Sequence, residues 1–387
     1  MQGAAKRKRP LFKTITATVT ATASAAVFLY LVGITGCESE TVEHVTETFR
    51  GNLQRTGVFS ASSAPREGEL DWQFATQGTI ISSPAVVDGK LYFGSDDGTF
   101  YSLDAETGEE QWSYDQVEGR IYSSPAVEDE LVYFGCQRGV FYALDRVTGE
   151  KVWTFSSEEA DSMESAPAVY RDKVFFGSHD GYLYALDAAT GEKEWSLDVG
   201  DWLPASPAIY QEKLYIGCMD GRFIAVDPST GEEEWDYHTG DWIQSTAAVE
   251  NGKAYVGNFA GVLLAIDVDT GEKEWEFHTG NWIGSSPAVY EGTVYVGSAD
   301  NHLYAVDAET GEEVWNYDAG VSVLSSPSVA DEVVFFGGEN GVFYALEADT
   351  GDLLWELSVG GEIDTAAVIH RDRVLFGSYD GRLYSLR

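Results

Sequence analysis

Three tryptophans recur at intervals of 40 residues, Trp202, Trp242 and Trp282, each directly preceded by a polar residue, Asp201, Asp241 and Asn281. The equivalent positions elsewhere in the chain hold Thr79, Arg120, Ser162, Ser322 and Glu362, so the run of indoles breaks an otherwise varied column. Consecutive indoles beside carboxylates and an amide suit the gripping of a peptide, a sugar ring or a flat cofactor, because exposed aromatic rings offer large contact area at interfaces. Arg120, in the same column, adds a cationic candidate. A competing reading is recent duplication, with each indole covering only its own loop. Trp235-Asp-Tyr-His238-Thr-Gly and Trp275-Glu-Phe-His278-Thr-Gly are also alike.

Other residue types promise less. His238 and His278 fall on neighbouring repeats whose outer strands would stand about 15 Å apart, several times a Zn–N bond. The turns Asp96-Asp97-Gly98, Asp180-Gly181, Asp220-Gly221 and Asp380-Gly381 lack the spacing and terminal Glu of a calcium-binding loop, and turn chemistry explains them. No nucleophile, base and acid stand out from the repeat. Cys136 and Cys218 occupy one column two repeats apart, which puts them roughly 14 Å from each other, beyond disulfide reach. Neither a catalytic nor a metal-ligating set is expected.

The elements that must position the indoles follow from a period. Thr-Gly pairs end at Gly108, Gly149, Gly191, Gly231, Gly271, Gly311 and Gly351, at spacings of 40 to 42 residues. Such a period signals a solenoid, an array or a propeller. Within one unit, Ser285–Tyr290, Val294–Gly297, His302–Val306 and Val314–Tyr317 read as four short strands separated by turn residues. Four strands in about forty residues make a propeller blade. Eight units fill the chain from Trp72, and the last lacks its fourth strand, while an orphan copy, Glu69-Leu70-Asp71-Trp72-Gln73-Phe74, precedes the first. The expected fold is an all-β, eight-bladed propeller whose last blade is closed by that N-terminal strand, which removes the open edges of the sheet. The indole column lies where the chain joins each innermost strand and should ring one mouth of the central channel.

Asp104-Ala-Glu-Thr107-Gly108-Glu-Glu-Gln-Trp112 resembles the Ala-x-Asp-x-x-Thr-Gly-x-x-x-Trp docking motif of quinoprotein (PQQ-like) β-propellers. Further copies end at Trp153, Trp195, Trp235, Trp275, Trp315 and Trp355, with Ser102 for the motif Ala and Glu347 for the motif Asp as departures. The stretch Phe49-Arg-Gly-Asn52-Leu-Gln-Arg55-Thr-Gly57 is similar to the lead-in of such proteins, so the resemblance spans about residues 50–387. It implies that these tryptophans, with Trp72, dock one blade onto the next. The family's PQQ-dependent dehydrogenases are far longer, with inserted active-site loops and, in the alcohol-oxidising ones, an adjacent Cys-Cys pair that this chain lacks. The resemblance therefore implies fold rather than activity, and no cofactor is expected. A lipidated member of this length looks BamB-like, a scaffold for envelope proteins. A PQQ-dependent oxidoreductase and a carbohydrate-binding surface protein are the alternatives.

Residues 1–36 carry Lys6, Arg7, Lys8, Arg9 and Lys13 and no acid, followed by an Ala/Thr-rich apolar run. This reads as a secretion signal. Ile34-Thr35-Gly36-Cys37 resembles a lipobox, which makes Cys37 the lipidated N-terminus and residues 37–68 a tether to a propeller over 69–387. The apolar run is also long enough to span a bilayer as an uncleaved anchor. Either way the propeller is extracytoplasmic and membrane-tethered, at the cell surface in an archaeon or in the periplasm in a bacterium. The formal charge is −40, and removing the leader leaves 19 basic against 64 acidic residues, or −45. Such self-repulsion is tolerable where salt shortens the Debye length to about 3 Å, so a halophilic, archaeal source is expected. Nucleic acid, which needs a basic surface, is excluded as a partner. A monomeric propeller binding other envelope or surface proteins is the reading carried forward.

Overall fold

Each repeat folds as an antiparallel sheet because its first three strands are rich in β-branched, aromatic and aliphatic residues and are largely covered on both faces. In the sixth blade these strands are Ala288–Tyr290, Thr293–Gly297 and His302–Asp307. The fourth, Glu313–Asp318, alternates exposed and covered residues and forms the outer edge. The computed structural model describes residues 49–60, 64–157, 159 and 161–387; Cys37, the leader and the first part of the expected tether lie outside them. Eight such four-stranded sheets make the ring, and no helix among the described residues is long and apolar enough to cross a membrane.

The closure expected from the sequence is observed. Leu70–Ala75 runs antiparallel to Arg382–Leu386, with Trp72 opposite Ser385 and Phe74 opposite Leu383, and so supplies the outer strand of the eighth blade. The ring of eight blades leaves no sheet half-built.

The docking motif joins neighbouring blades through one repeated device. In the second blade, Asp145 Oδ1 accepts the backbone N–H groups of Val147 and Thr148 and the Thr148 hydroxyl at 2.7–3.0 Å. These bonds to Thr148 and its neighbour hold the Asp145 carboxyl below its usual pKa. The turn presents Gly149, at φ 72°, flat against Trp112 of the preceding blade, where a Cβ would stand 2.6 Å from the ring. Only glycine fits there. Trp112 Nε1 then donates to the Arg146 carbonyl at 3.2 Å. A register shift between the third and fourth strands sets each docking indole opposite a small residue, as with Ala185 and Trp195 or Ala305 and Trp315. Ser102, the departure from the motif Ala, occupies the same place opposite Trp112. Cys136 and Cys218 are buried free thiols at their blade seams, and burial pushes Cys218 up to about 12.

Packing against the blades begins well before residue 69. The carbonyls of Leu53, Gln54, Thr56 and Gly57 accept the N–H groups of Ile209, Val249, Val289 and Val329, one from each of four consecutive innermost strands, at 2.8–2.9 Å. Arg50 and Arg55 are buried inside the ring. Arg50 donates to the carbonyls of Pro287 and Pro327, and Arg55 to those of Pro207 and Pro167. Burial lowers both guanidinium groups to about 9, and the charge of Arg55 adds to the lowering at Arg50, so they stay protonated at neutral pH.

Candidate functional site

The segments leading into the innermost strands of all eight blades surround a cavity of about 270 Å³ in the channel, with Phe49 among its lining residues. Its wall is stitched by hydroxyls. The backbone N–H of Ser206 donates to Thr246 Oγ1, that of Thr246 to Ser286 Oγ, and that of Ser286 to Ser326 Oγ, at 2.9–3.1 Å, so each entry segment is pinned to the next. Ala366 and Ser83 continue the chain of bonds through Ser83 Oγ and Ser124 Oγ. Side chains two residues earlier, including Tyr122, Glu164, Gln244 and Asp364, line the same cavity.

The indole column takes its place at this end of the channel, but its members part company. Trp282 lines the cavity, whereas Trp202 and Trp242 are 52% and 53% exposed. Trp202 stacks on His179 of the preceding blade, with ring centroids 4.9 Å apart. Trp242 and Trp282 are brought together by a residue that the sequence reading had not singled out. Phe259 lies 5.8 Å from Trp242 and stacks on Trp282 at 4.8 Å, giving an aromatic run over blades five and six. Asp201, Asp241 and Asn281 turn back on themselves: their Oδ1 atoms accept the N–H groups of Trp202, Trp242 and Trp282 at 2.8–2.9 Å. They hold the loops that carry the indoles. Arg120, on the second blade, makes no contact with the indoles and instead pairs with Asp96 at 3.3 Å and donates to Tyr122 Oη at 3.3 Å.

His179 and Phe259 belong to a second variable column: Asp96, Gln137, His179, Met219, Phe259, Ala299, Glu339 and Tyr379. Each member's backbone N–H donates to the carbonyl of its own blade's residue in the indole column, as Phe259 to Trp242 at 2.9 Å and Tyr379 to Glu362 at 2.9 Å. The two columns form one rim. The signal was available in the residue after the Ser, Cys, Asn or Gly that follows each second strand.

On blades seven and eight the rim is acidic. Asp364 lines the cavity on blade eight, and its Oδ1 is buried without a hydrogen-bond partner. Burial raises its pKa, the neighbouring Tyr379 hydroxyl opposes that rise, and the charges of Glu339 and Glu362 add to it. Burial and the charge of Asp364 in turn push the Tyr379 phenol well above its ordinary value.

The solved structures that share this geometry include proteins of different kinds. BamB from Moraxella catarrhalis superposes with a TM-score of 0.71 at 20% identity, covering 83% of this chain and 99% of that one. Quinohemoprotein alcohol dehydrogenase from Comamonas testosteroni gives 0.76 at 17% identity, covering 88% and 80%. The computationally designed Ika8 protein gives 0.71 at 18% identity, covering 82% and 98%. At these identities the likeness is one of fold. No curated protein matches the chain in sequence. The family model for outer membrane protein assembly factor BamB matches residues 54–237, 118–276 and 238–387, and the chain belongs to that PQQ-repeat family.

Proposed function

We propose that this protein is a membrane-tethered, extracytoplasmic binding propeller, without catalytic activity of its own, that holds a partner protein of the cell envelope at the aromatic side of its channel mouth. The observation that carries this reading is the exposure of Trp202 on His179 and of Trp242 beside the Phe259–Trp282 stack: half-bare indoles on loops fixed by Asp201 and Asp241. Rigid aromatic anchors of this kind dominate binding energy at interfaces. Family membership with the assembly factor BamB points the same way, and Cys37 would supply the lipid anchor.

The test replaces Trp202, Trp242 and Trp282 together with Ser and captures partners from native membranes in high salt. Loss of each buried interface aromatic costs about 2 kcal/mol or more, so capture should fall sharply while the fold survives. Undiminished capture would return the indoles to loop covering.

PQQ-dependent oxidation is favoured by likeness of fold to the alcohol dehydrogenase. The residues present do not fit that cofactor. PQQ carries three carboxylates, and the channel end offers Glu164, Glu339, Glu362 and Asp364, while Arg120 is paired with Asp96 and Arg50 and Arg55 are engaged by the carbonyls of Pro167, Pro207, Pro287 and Pro327. An anionic ligand would meet like charge in a confined site.

A further inference from the structure

The rim is electrostatically and chemically divided. In an eight-membered ring blade four faces blade eight and blade five faces blade one. Trp202 therefore looks across at Asp364 and Glu362, and the Trp242–Phe259 pair at Asp96. Asp364 contributes a carboxylate oxygen with no partner, in a place where burial already disfavours its charge. Unpaired buried acceptors cost stability unless something fills them. Metal ions are poor candidates, since among the described residues no three His, Cys, Asp or Glu side chains are grouped to hold one. The missing counter-charge has to be larger and flatter.

The chain itself shows what suits this channel. Arg50 and Arg55 insert their guanidinium groups between innermost strands, and Arg120 rests at the rim between Asp96 and Tyr122. Phe49 carries the Arg55 guanidinium 5.8 Å from its ring centroid. We propose that the cavity receives an arginine side chain of the partner protein, its guanidinium stacked on Trp282, which lines the cavity, and answered by Asp364. The inference rests on the binding reading above and names the chemistry of its ligand. A cavity of about 270 Å³ falls just under the roughly 300–1,000 Å³ of pockets that enclose whole drug-sized ligands, so one long side chain is the right size. Planar guanidinium groups stack on aromatic faces and bond carboxylates better than ammonium groups do. High salt screens the acidic exterior more than this partly buried carboxylate.

The full chain, solubilised in detergent at 2 M KCl, is titrated with acetyl-Gly-Arg-Gly-amide, following tryptophan fluorescence and heat. The Lys and Glu counterparts of the peptide and calcium chloride serve as comparison ligands. One site with Arg favoured over Lys and no response to the Glu peptide is expected. Asp364→Asn and Trp282→Leu should each weaken the Arg peptide about tenfold, both confirmed folded by circular dichroism. Equal binding of the Glu peptide, displacement of the Arg peptide by calcium at equal concentration, absence of binding, or an unchanged affinity in Asp364→Asn would each overturn the proposal. If the Arg peptide fails while capture of the membrane partner still depends on the three tryptophans, the ligand chemistry is wrong and the binding reading stands. If capture is also indifferent to the tryptophans, both fall.

Discussion

The indole Nε1 of Trp355 donates to the carbonyl of Pro65 at 3.0 Å, across 290 residues of sequence. Pro65 thereby stands where Arg146 stands for Trp112 and Ala348 for Trp315. Gly68, at φ 64°, lies against the Trp355 ring as Gly149 lies against Trp112. Residues 64–68 are an eighth docking turn stripped of its Asp and Thr. The departure at Glu347 finds its partner here too, in a 2.8 Å ion pair with Arg66.

One seam is less complete. Trp72 packs on Gly108, yet its Nε1 is buried without an acceptor, whereas Trp315 Nε1 donates to Ala348 at 2.8 Å. Trp315→Phe should therefore cost about 1–2 kcal/mol more than Trp72→Phe, because only the former breaks a buried hydrogen bond. Urea midpoints of the two variants decide it; equal losses would refute the difference between seams.

Arg55→Met should lower the urea midpoint strongly, by roughly 3 kcal/mol or more, since it strips donors from the carbonyls of Phe49, Pro167 and Pro207 inside the ring. Arg55→Lys should recover little, because an ammonium cannot span those acceptors as a planar fork does. Full rescue by Lys would show that charge alone matters.

Asp364 gives a pH signature. Its folded pKa is raised above the ordinary carboxylate value, so the fold keeps a proton that the unfolded chain has released, and stability contributed by this group is lost as pH rises through the raised value. Asp364→Asn should then stabilise the protein at pH 7 by on the order of 1 kcal/mol and make no difference near pH 3. Thermal melts of both proteins across pH 3–8 test this, and a variant less stable at pH 7 would contradict it.

The surface acids predict salt dependence. With 64 Asp and Glu against 24 Lys and Arg, melting temperature should climb between 0.1 M and 3 M KCl as repulsion is screened. A flat response would speak against a halophilic source.

Lipidation at Cys37 is checked directly: Cys37→Ser should release the protein from membranes, and mass spectrometry should find residues 1–36 gone from the mature chain. Retained leader residues would favour an uncleaved anchor.

How much of this could be read from the sequence differs by region. The blades were legible because Gly108, Thr107 and Trp112 recur with one spacing, and the orphan strand around Trp72 announced the closure that pairs it with Ser385. The docking turn at 64–68 was not legible, because an indole needs only a flat glycine and a carbonyl, and Ala64 and Glu67 carry no trace of the Asp-Thr pair. At the mouth, Trp202, Trp242 and Trp282 stood out as bulky residues in a varied column. Phe259 and Asp364 did not, since the stack and the unpaired oxygen arise between loops that meet only when the ring is built.

The strand Leu70–Ala75 is made early and satisfied late. It has no neighbour until Arg382–Leu386 has been synthesised, more than three hundred residues afterwards, and the Leu53 to Gly57 carbonyls likewise wait for strands as distant as Ser328–Ala330. Contacts of such sequence separation slow the final step of folding. Until then one blade offers a raw edge to any passing chain. The ring is thus a clasp whose two halves are synthesised at different times, and its shutting, rather than the formation of any blade, should set the pace at which new molecules become safe from aggregation.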